Sequence, residues 1–353
     1  MKNPLTLKTD MKRYNNLFDE IISIENLRIA DSKARKGKTE SYGVRLHDKK
    51  REENIQKLHQ ILKDGRFRTS NYCVFKIYEP KERDIYRLPY YPDRIVHHAI
   101  MNVLEPIWVN IFTADTCSCI KRRGIMEAYR RTKRYLKDKE GTKYCLKIDI
   151  RKYYPSIQHD KLKEIIRKKI KDRRLLALLD EIIDSADGVP IGNYLSQYFA
   201  NLYLAYFDHY VKEVLKVKYY VRYADDMVFF ASTKEELTFI FEKVKQYIGD
   251  LSLSLKGNEQ IFPVGSNRQD RHKRGIDFVG YVFYHNQILI RKSIKKAFVG
   301  KASYLNKKRG LSDMSYKQGI ASWWGWLKTS NSHNLRKKMI RPLILTSLEK
   351  RRK

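Results

Sequence analysis

Two adjacent carboxylates, Asp225 and Asp226, end the tetrapeptide Tyr223-Ala224-Asp225-Asp226. The runs on either side, Lys218-Tyr219-Tyr220-Val221-Arg222 and Met227-Val228-Phe229-Phe230, are rich in aromatic and β-branched residues. Such runs are strand-like, so the segment is expected to form a β-hairpin with both aspartates at its tip. Neighbouring carboxylates repel each other unless water or a cation compensates them. A solvated turn would do this, and so would two divalent cations guiding a nucleotidyl transfer. A third carboxylate favours the cations. Residues 144–150 read Tyr-Cys-Leu-Lys-Ile-Asp-Ile, with Leu146, Ile148 and Ile150 alternating against Cys145, Lys147 and Asp149. That is the period of a strand with one buried face. Asp149 is then expected on the other face, near the strand end, because Pro155 soon interrupts pairing. Hard cations such as Mg²⁺ take a few such oxygens and fill their remaining positions from phosphate and water. The set suits attack of a hydroxyl on a nucleotide α-phosphate.

Several elements must position these residues. Between the carboxylates lies Gly188-Val189-Pro190-Ile191-Gly192-Asn193-Tyr194-Leu195-Ser196-Gln197, followed by an apolar run over 198–204. A Gly/Pro-punctuated loop entering a helix lets backbone approach a ligand closely. Leu17, Ile21, Ile24 and Leu27 recur at helical spacing, as do Ile55, Leu58 and Leu62. The polar, basic stretch 31–38 between them is expected to be an exposed connection. Residues 72–88 suggest a hairpin turning at Glu79-Pro80-Lys81-Glu82, and Asp93 is placed to cap a helix through about Val109. Residues 264–275 form a basic loop, and one strand is expected from there through Tyr284. Strands and helices mix without regular βαβ alternation, which argues an α+β fold.

Composition adds a partner. The 353 residues carry a net charge of +33, and eighteen Lys/Arg lie from residue 291 onward against only Asp313 and Glu349. So one-sided a balance predicts a polyanion, since basic groups that neutralise phosphates release counterions. The 25 tyrosines offer stacking surface for single-stranded nucleic acid. Trp323, Trp324 and Trp326 read as core first and as template contacts second. Cys73, Cys117, Cys119 and Cys145 have no Cys-x-x-Cys spacing, and Cys117 and Cys119 with His97 and His98 fit no structural zinc pattern. With no leader or membrane-length apolar run, a reduced, cytoplasmic protein without membrane contact is expected.

Asp149 with Tyr154, the Ile191-Gly192…Ser196-Gln197 loop, the Tyr-Ala-Asp-Asp hairpin and Phe278-Val279-Gly280-Tyr281 stand in the order of reverse transcriptase motifs. The chain resembles in particular the reverse transcriptases of diversity-generating retroelements, which are group II intron-like enzymes of bacteria and phages. It is similar to them in Glu25-Asn26-Leu27, in Ile77-Tyr78-Glu79-Pro80-Lys81-Glu82-Arg83 and in Asp93-Arg94-Ile95-Val96-His97-His98-Ala99. It also shares Ile191-Gly192-Asn193, where intron-type enzymes usually carry Pro-Gln-Gly. The likeness runs over about residues 14–340.

The resemblance implies a right-hand polymerase with fingers over 1–92, a palm with interleaved fingers elements over 93–284, and a basic helical thumb over 285–353. It implies two Mg²⁺ ions, with Mn²⁺ as a substitute, held by Asp149, Asp225, Asp226 and the backbone carbonyl of Ile150. Nucleotide contacts fall on Lys81, Arg83, Tyr154, Ile191, Gly192 and Gln197, and primer or template contacts on Tyr223, Gly280 and Tyr281. Lys81 reads equally as an exposed turn lysine, and Tyr154 has packing as its other role. The implied partners are a template RNA, the RNA/cDNA duplex, dNTPs and a basic oligomeric accessory protein.

Ile191 replaces a glutamine that could hydrogen-bond near the nucleotide, leaving only apolar contact. Apolar pockets reject wrong shapes by only about 1–3 kcal/mol, a physical route to error-prone copying. The resemblance implies that the errors concentrate at template adenines. Two departures stand out. Glu259-Gln260 replaces a usual Lys-Thr pair, with Lys256 three residues earlier, and Ile120 replaces a usual arginine near Lys121, Arg122 and Arg123. The alternatives are a phage-defence or intron-type enzyme, the latter disfavoured because no maturase-like or nuclease extension follows. Outside the enzyme class, a polymerase-derived RNA-binding scaffold would not need all three carboxylates.

Overall fold

In the computed structural model, residues 12–78 and 82–350 are described. Two compact units share the chain, and each is built from separated segments. The first draws on Met1–Arg123, Asp149–Val217 and Ile240–Asn258; the second draws on Gly124–Ile148, Lys218–Phe239 and Glu259–Lys353.

The first unit is mainly helical. Helices Phe18–Ile22, Ile24–Ala34, Arg51–Lys63 and Ile95–Val109 bury Ile21, Leu27, Leu58, Ile100, Leu104 and Trp108. Asp172 serves two helices at once. It caps Arg173–Ile183 by accepting from Leu175 N at 3.2 Å, and it accepts from Leu17 N and Phe18 N at 2.8 and 2.9 Å. Strands β1 (Cys73–Ile77) and β2 (Arg83–Arg87) pair antiparallel with Cys73 opposite Arg87, which is the expected hairpin. The centre of its turn, including Lys81, lies outside the described residues.

Two expectations fail in this unit. The stretch 31–38 is not an exposed connection throughout, because the helix runs on through Ala34 and Asp31 is fully buried, while residues 36–38 are exposed beyond its end. Burial alone would raise the Asp31 carboxyl, but hydrogen bonds from Tyr90, Arg35 and Arg51 outweigh it and hold the group below its usual range. Nor does Asp93 cap the following helix, which begins at Ile95. Its buried carboxylate instead accepts from Ser70 N at 3.0 Å.

The second unit holds both larger sheets. Strands β3 (Tyr144–Asp149), β4 (Tyr219–Tyr223), β5 (Asp226–Ala231) and β6 (Gln260–Pro263) form one sheet in the order β4-β5-β3-β6, with β4–β5 and β3–β6 antiparallel. Cys145 is as buried as Leu146, so β3 is covered on both faces rather than alternating cleanly. Strands β7 (Ile276–Phe278), β8 (Tyr281–Phe283) and β9 (Ile288–Ile290) form an antiparallel meander. The single strand expected through Tyr284 is therefore two, turned at Val279 (φ +43°) and Gly280 (φ +87°). A Cβ on Gly280 would meet the Trp326 ring at 2.5 Å, so the turn demands glycine for both its angle and its space.

Helices Lys292–Lys307, Asp313–Thr329, His333–Met339 and Pro342–Lys350 close on Phe298, Leu305, Tyr316, Ile320, Leu327 and Ile344. Each such side chain contributes about 1.5–3 kcal/mol on burial. Trp323 and Trp324 pack against that cluster, and Trp326 lies 4.9 Å from the Tyr281 ring. The molecule is α+β with antiparallel sheets, as its sequence pattern implied.

Candidate active site

The hairpin register pairs Tyr223 with Asp226, leaving Ala224 and Asp225 as a two-residue turn. Ala224 takes a left-handed conformation, φ +55°, which costs an alanine about 1–2 kcal/mol. Arg222 supports it. This side chain is fully buried in β4, and its Nη1 donates to the Ala224 carbonyl at 3.0 Å. The turn that presents Asp225 is thus held from beneath by a cation.

Lys147 of β3 reaches the other aspartate. Its Nζ lies 3.4 Å from Asp226 Oδ1 and donates to the Asp277 carbonyl at 2.5 Å. The start of β5 therefore lies against β3 two residues before that strand ends at Asp149. Past that end the backbone pairs again. Lys256 N donates to Asp149 O at 3.0 Å and Arg151 N to Ser254 O at 2.8 Å, flanking an antiparallel bridge between Ile150 and Leu255. In such a pair the central residues direct their own carbonyls away from each other, so this pairing does not consume the Ile150 carbonyl. The same register puts Lys256 opposite Asp149, and its Nζ donates to Asp149 Oδ2 at 2.6 Å.

These donors are hard oxygens, and Asp149 and Asp226 each meet a lysine ammonium group. That chemistry fits a divalent cation of the Mg²⁺ kind. Among the described residues no three His, Cys, Asp or Glu side chains are gathered as a ready cage.

The loop 188–193 connects the other candidates. Val189 N donates to Tyr154 O at 2.9 Å, and Tyr86 N of β2 donates to Ile191 O at 2.8 Å. One short loop is therefore pinned at Tyr154 and at the β1–β2 hairpin. Gly188 (φ +60°) and Gly192 (φ +124°) make this possible, since a Cβ would meet Pro155 O at 2.6 Å and Tyr86 O at 2.7 Å respectively. Asn193 spends its amide on Tyr72 Oη at 3.1 Å instead of capping helix Tyr194–Tyr203, and Tyr72 Oη lies 2.7 Å from Ser185 Oγ. Arg83, Gly192 and Gln197 are exposed, while Tyr154 and Ile191 are half-buried.

Tyr281 is different. It is 1% exposed, its hydroxyl is 2.7 Å from Thr329 Oγ1 and its ring lies 4.8 Å from that of Tyr129. Its side chain belongs to the core beneath the Gly280 turn, so the expected nucleic-acid contact does not fall on this ring. Sequence reading missed Arg222, and it took Lys147 only as a strand residue. An arginine inside an otherwise apolar strand run was the available signal.

Comparison with known proteins completes the picture. A sequence model of the family described as reverse transcriptase (RNA-dependent DNA polymerase) matches residues 79–283. Protein YkfC of Escherichia coli (strain K12) is 29% identical over 154 residues, which is 39% of this chain and 40% of that protein. Group II intron-encoded protein LtrA of Lactococcus lactis subsp. cremoris is 27% identical over 182 residues, 48% of this chain and 30% of that protein. The chain thus spans less than half the length of either relative. Apo telomerase from Candida tropicalis aligns in structure with a TM-score of 0.47 and 11% identity, covering 74% of this chain and 60% of that one.

Proposed function

The chain belongs to the reverse transcriptase (RNA-dependent DNA polymerase) family and carries an α+β fold of the right-hand polymerase type, and on that premise we propose that it copies RNA into DNA by two-metal nucleotidyl transfer. The observation that carries this is the contact of Lys147 with Asp226, which brings the Asp225-Asp226 turn against the strand that ends at Asp149. Asp149, Asp225, Asp226 and the Ile150 carbonyl are the groups that would hold the cations. Bound there, Mg²⁺ or Mn²⁺ would acidify the attacking hydroxyl and neutralise the triphosphate. Arg222 keeps the Asp225 turn in place, and Arg83 offers its planar fork to phosphate oxygens. The Tyr154 ring blocks a ribose 2′-hydroxyl and selects dNTPs. Ile191, Gly192 and Gln197 line the nucleotide, and Lys81 is a further nucleotide contact. Tyr223 and the Gly280 backbone meet the primer and template.

The fingers span 1–92, the palm 93–284 and the basic thumb 285–353. Within the family, Ile191-Gly192-Asn193 favours the diversity-generating type, with adenine-directed errors and a basic oligomeric accessory protein that RNA bridges. The test is primer extension on a defined RNA with sequencing of the cDNA. Synthesis should require Mg²⁺ or Mn²⁺ and disappear in Asp225→Asn and Asp149→Asn. Extension at wild-type level by either folded variant would overturn the site, and no extension by wild type would leave an RNA-binding scaffold.

A further inference from the structure

Both ends of the carboxylate set carry an ammonium group. Lys256 Nζ sits 2.6 Å from Asp149 Oδ2, and Lys147 Nζ sits 3.4 Å from Asp226 Oδ1. All four side chains are partly exposed, between 26% and 36%, so neither pair is sealed in the core. We propose that Lys147 and Lys256 are resident counter-ions of the catalytic carboxylates, each of which must leave its carboxylate for a divalent cation to load. This rests on the metal role proposed above for Asp149 and Asp226.

Without a cation, the two adjacent aspartates of the hairpin repel each other, and Asp149 carries a charge of its own. The two ammonium groups supply the missing charge and let the hairpin and the end of β3 fold before any metal arrives. A lysine suits this task because its compact charge rides on a flexible four-carbon stem and can swing aside.

The two lysines are held differently. Backbone pairing fixes Lys256 opposite Asp149 through Lys256 N to Asp149 O and the Ile150–Leu255 bridge. Its ammonium group therefore stays within reach of Asp149 as a competitor even after it swings aside. Lys147 has a second acceptor, the Asp277 carbonyl at 2.5 Å, to which it can retreat when Asp226 turns to a cation. Lys256 is the stronger competitor, and the cation at Asp149 is the one whose loading it sets. Three residues before the Glu259-Gln260 that stands in place of the usual Lys-Thr pair, Lys256 thus acts on a carboxylate ligand.

The probe is Mn²⁺ alone, titrated against the full-length, nucleotide-free protein and followed by the resonance signal of free Mn²⁺. Lys256→Met should tighten binding about tenfold, or ~1.4 kcal/mol, and Lys147→Met by less. Lys256→Arg and Lys147→Arg keep the charge and should bind Mn²⁺ as wild type does. A thermal melt gives the second readout. In EDTA each Met variant should unfold at a lower temperature than wild type, and saturating Mn²⁺ should erase that difference. Unchanged or weakened Mn²⁺ binding in both Met variants, with binding lost in Asp149→Asn, would overturn the counter-ion role and leave the carboxylate site standing. Wild-type Mn²⁺ binding in both Asp149→Asn and Asp225→Asn would instead overturn the metal site itself.

Discussion

Ile191, proposed above to line the nucleotide, combines two features that would bear on fidelity there. Its carbonyl is fixed by Tyr86 N at 2.8 Å, so the backbone is held while the side chain offers only carbon. A glutamine on the same held backbone would add a hydrogen-bonding group without moving the loop. Ile191→Gln is expected to lower misincorporation opposite template adenine while synthesis continues. A tenfold drop needs only about 1.4 kcal/mol of added discrimination, and identical adenine error frequencies in sequenced cDNA would place infidelity elsewhere. Gly192 allows a sharper test. At φ +124°, with Tyr86 O 2.7 Å from where an added Cβ would stand, alanine must push the loop off β2. Gly192→Ala should raise the KM for dNTPs several-fold and lower the thermal midpoint, since the strained backbone costs about 1–3 kcal/mol, and an unchanged KM in the folded variant would separate this contact from the nucleotide. The three aspartates were legible because their spacing needs no tertiary information. Arg222 and Asp31 were not, since a charged residue in a strand or helix reads as surface until its partners are known.

Elements show a second limit. Helix Ile95–Val109 was legible as a helix, but the burial of His97 in its first turn was not. Burial, with the neighbouring His98 and Arg94, pushes the His97 imidazole down to about 3. Its Nε2 has no hydrogen-bond partner among the described residues. The unfolded chain takes up this proton near pH 6.5, which the folded chain refuses until about 3. Stability tied to His97 is therefore complete above pH 6.5 and is lost progressively as pH falls from there. At pH 5 the loss is about 2 kcal/mol. Urea unfolding at pH 7 and pH 5 should show this, and His97→Leu should remove that share of the pH dependence. An equal slope in the variant would show that His97 is already protonated or exposed. The β7–β8 turn was hidden for another reason. Val279 gives no turn signal, and Gly280 alone is as compatible with a bulge as with a chain reversal.

At the scale of the molecule, the interleaving of segments was illegible, because the sequence has no linker where units exchange chain. Charge, by contrast, was legible from composition. Among the described helices near the C-terminus, Lys295, Lys296, Lys337 and Lys338 are exposed. Surface ammonium groups on a packed helical cluster stabilise the fold little, so their concentration there is best explained by a polyanionic ligand. If RNA phosphates lie against them, binding releases counterions, and log affinity falls with log salt by about 0.7–0.9 per phosphate neutralised. Changing all four to glutamine should flatten that slope by about 3 if each meets one phosphate. The thermal midpoint should hardly move, since none of the four belongs to the buried cluster of Phe298, Tyr316 and Leu327. Filter binding of a defined RNA across a salt series measures the slope directly. A parallel line displaced to weaker affinity would mean that these lysines act through the general field of a +33 protein. An unshifted line would place the RNA on another face altogether.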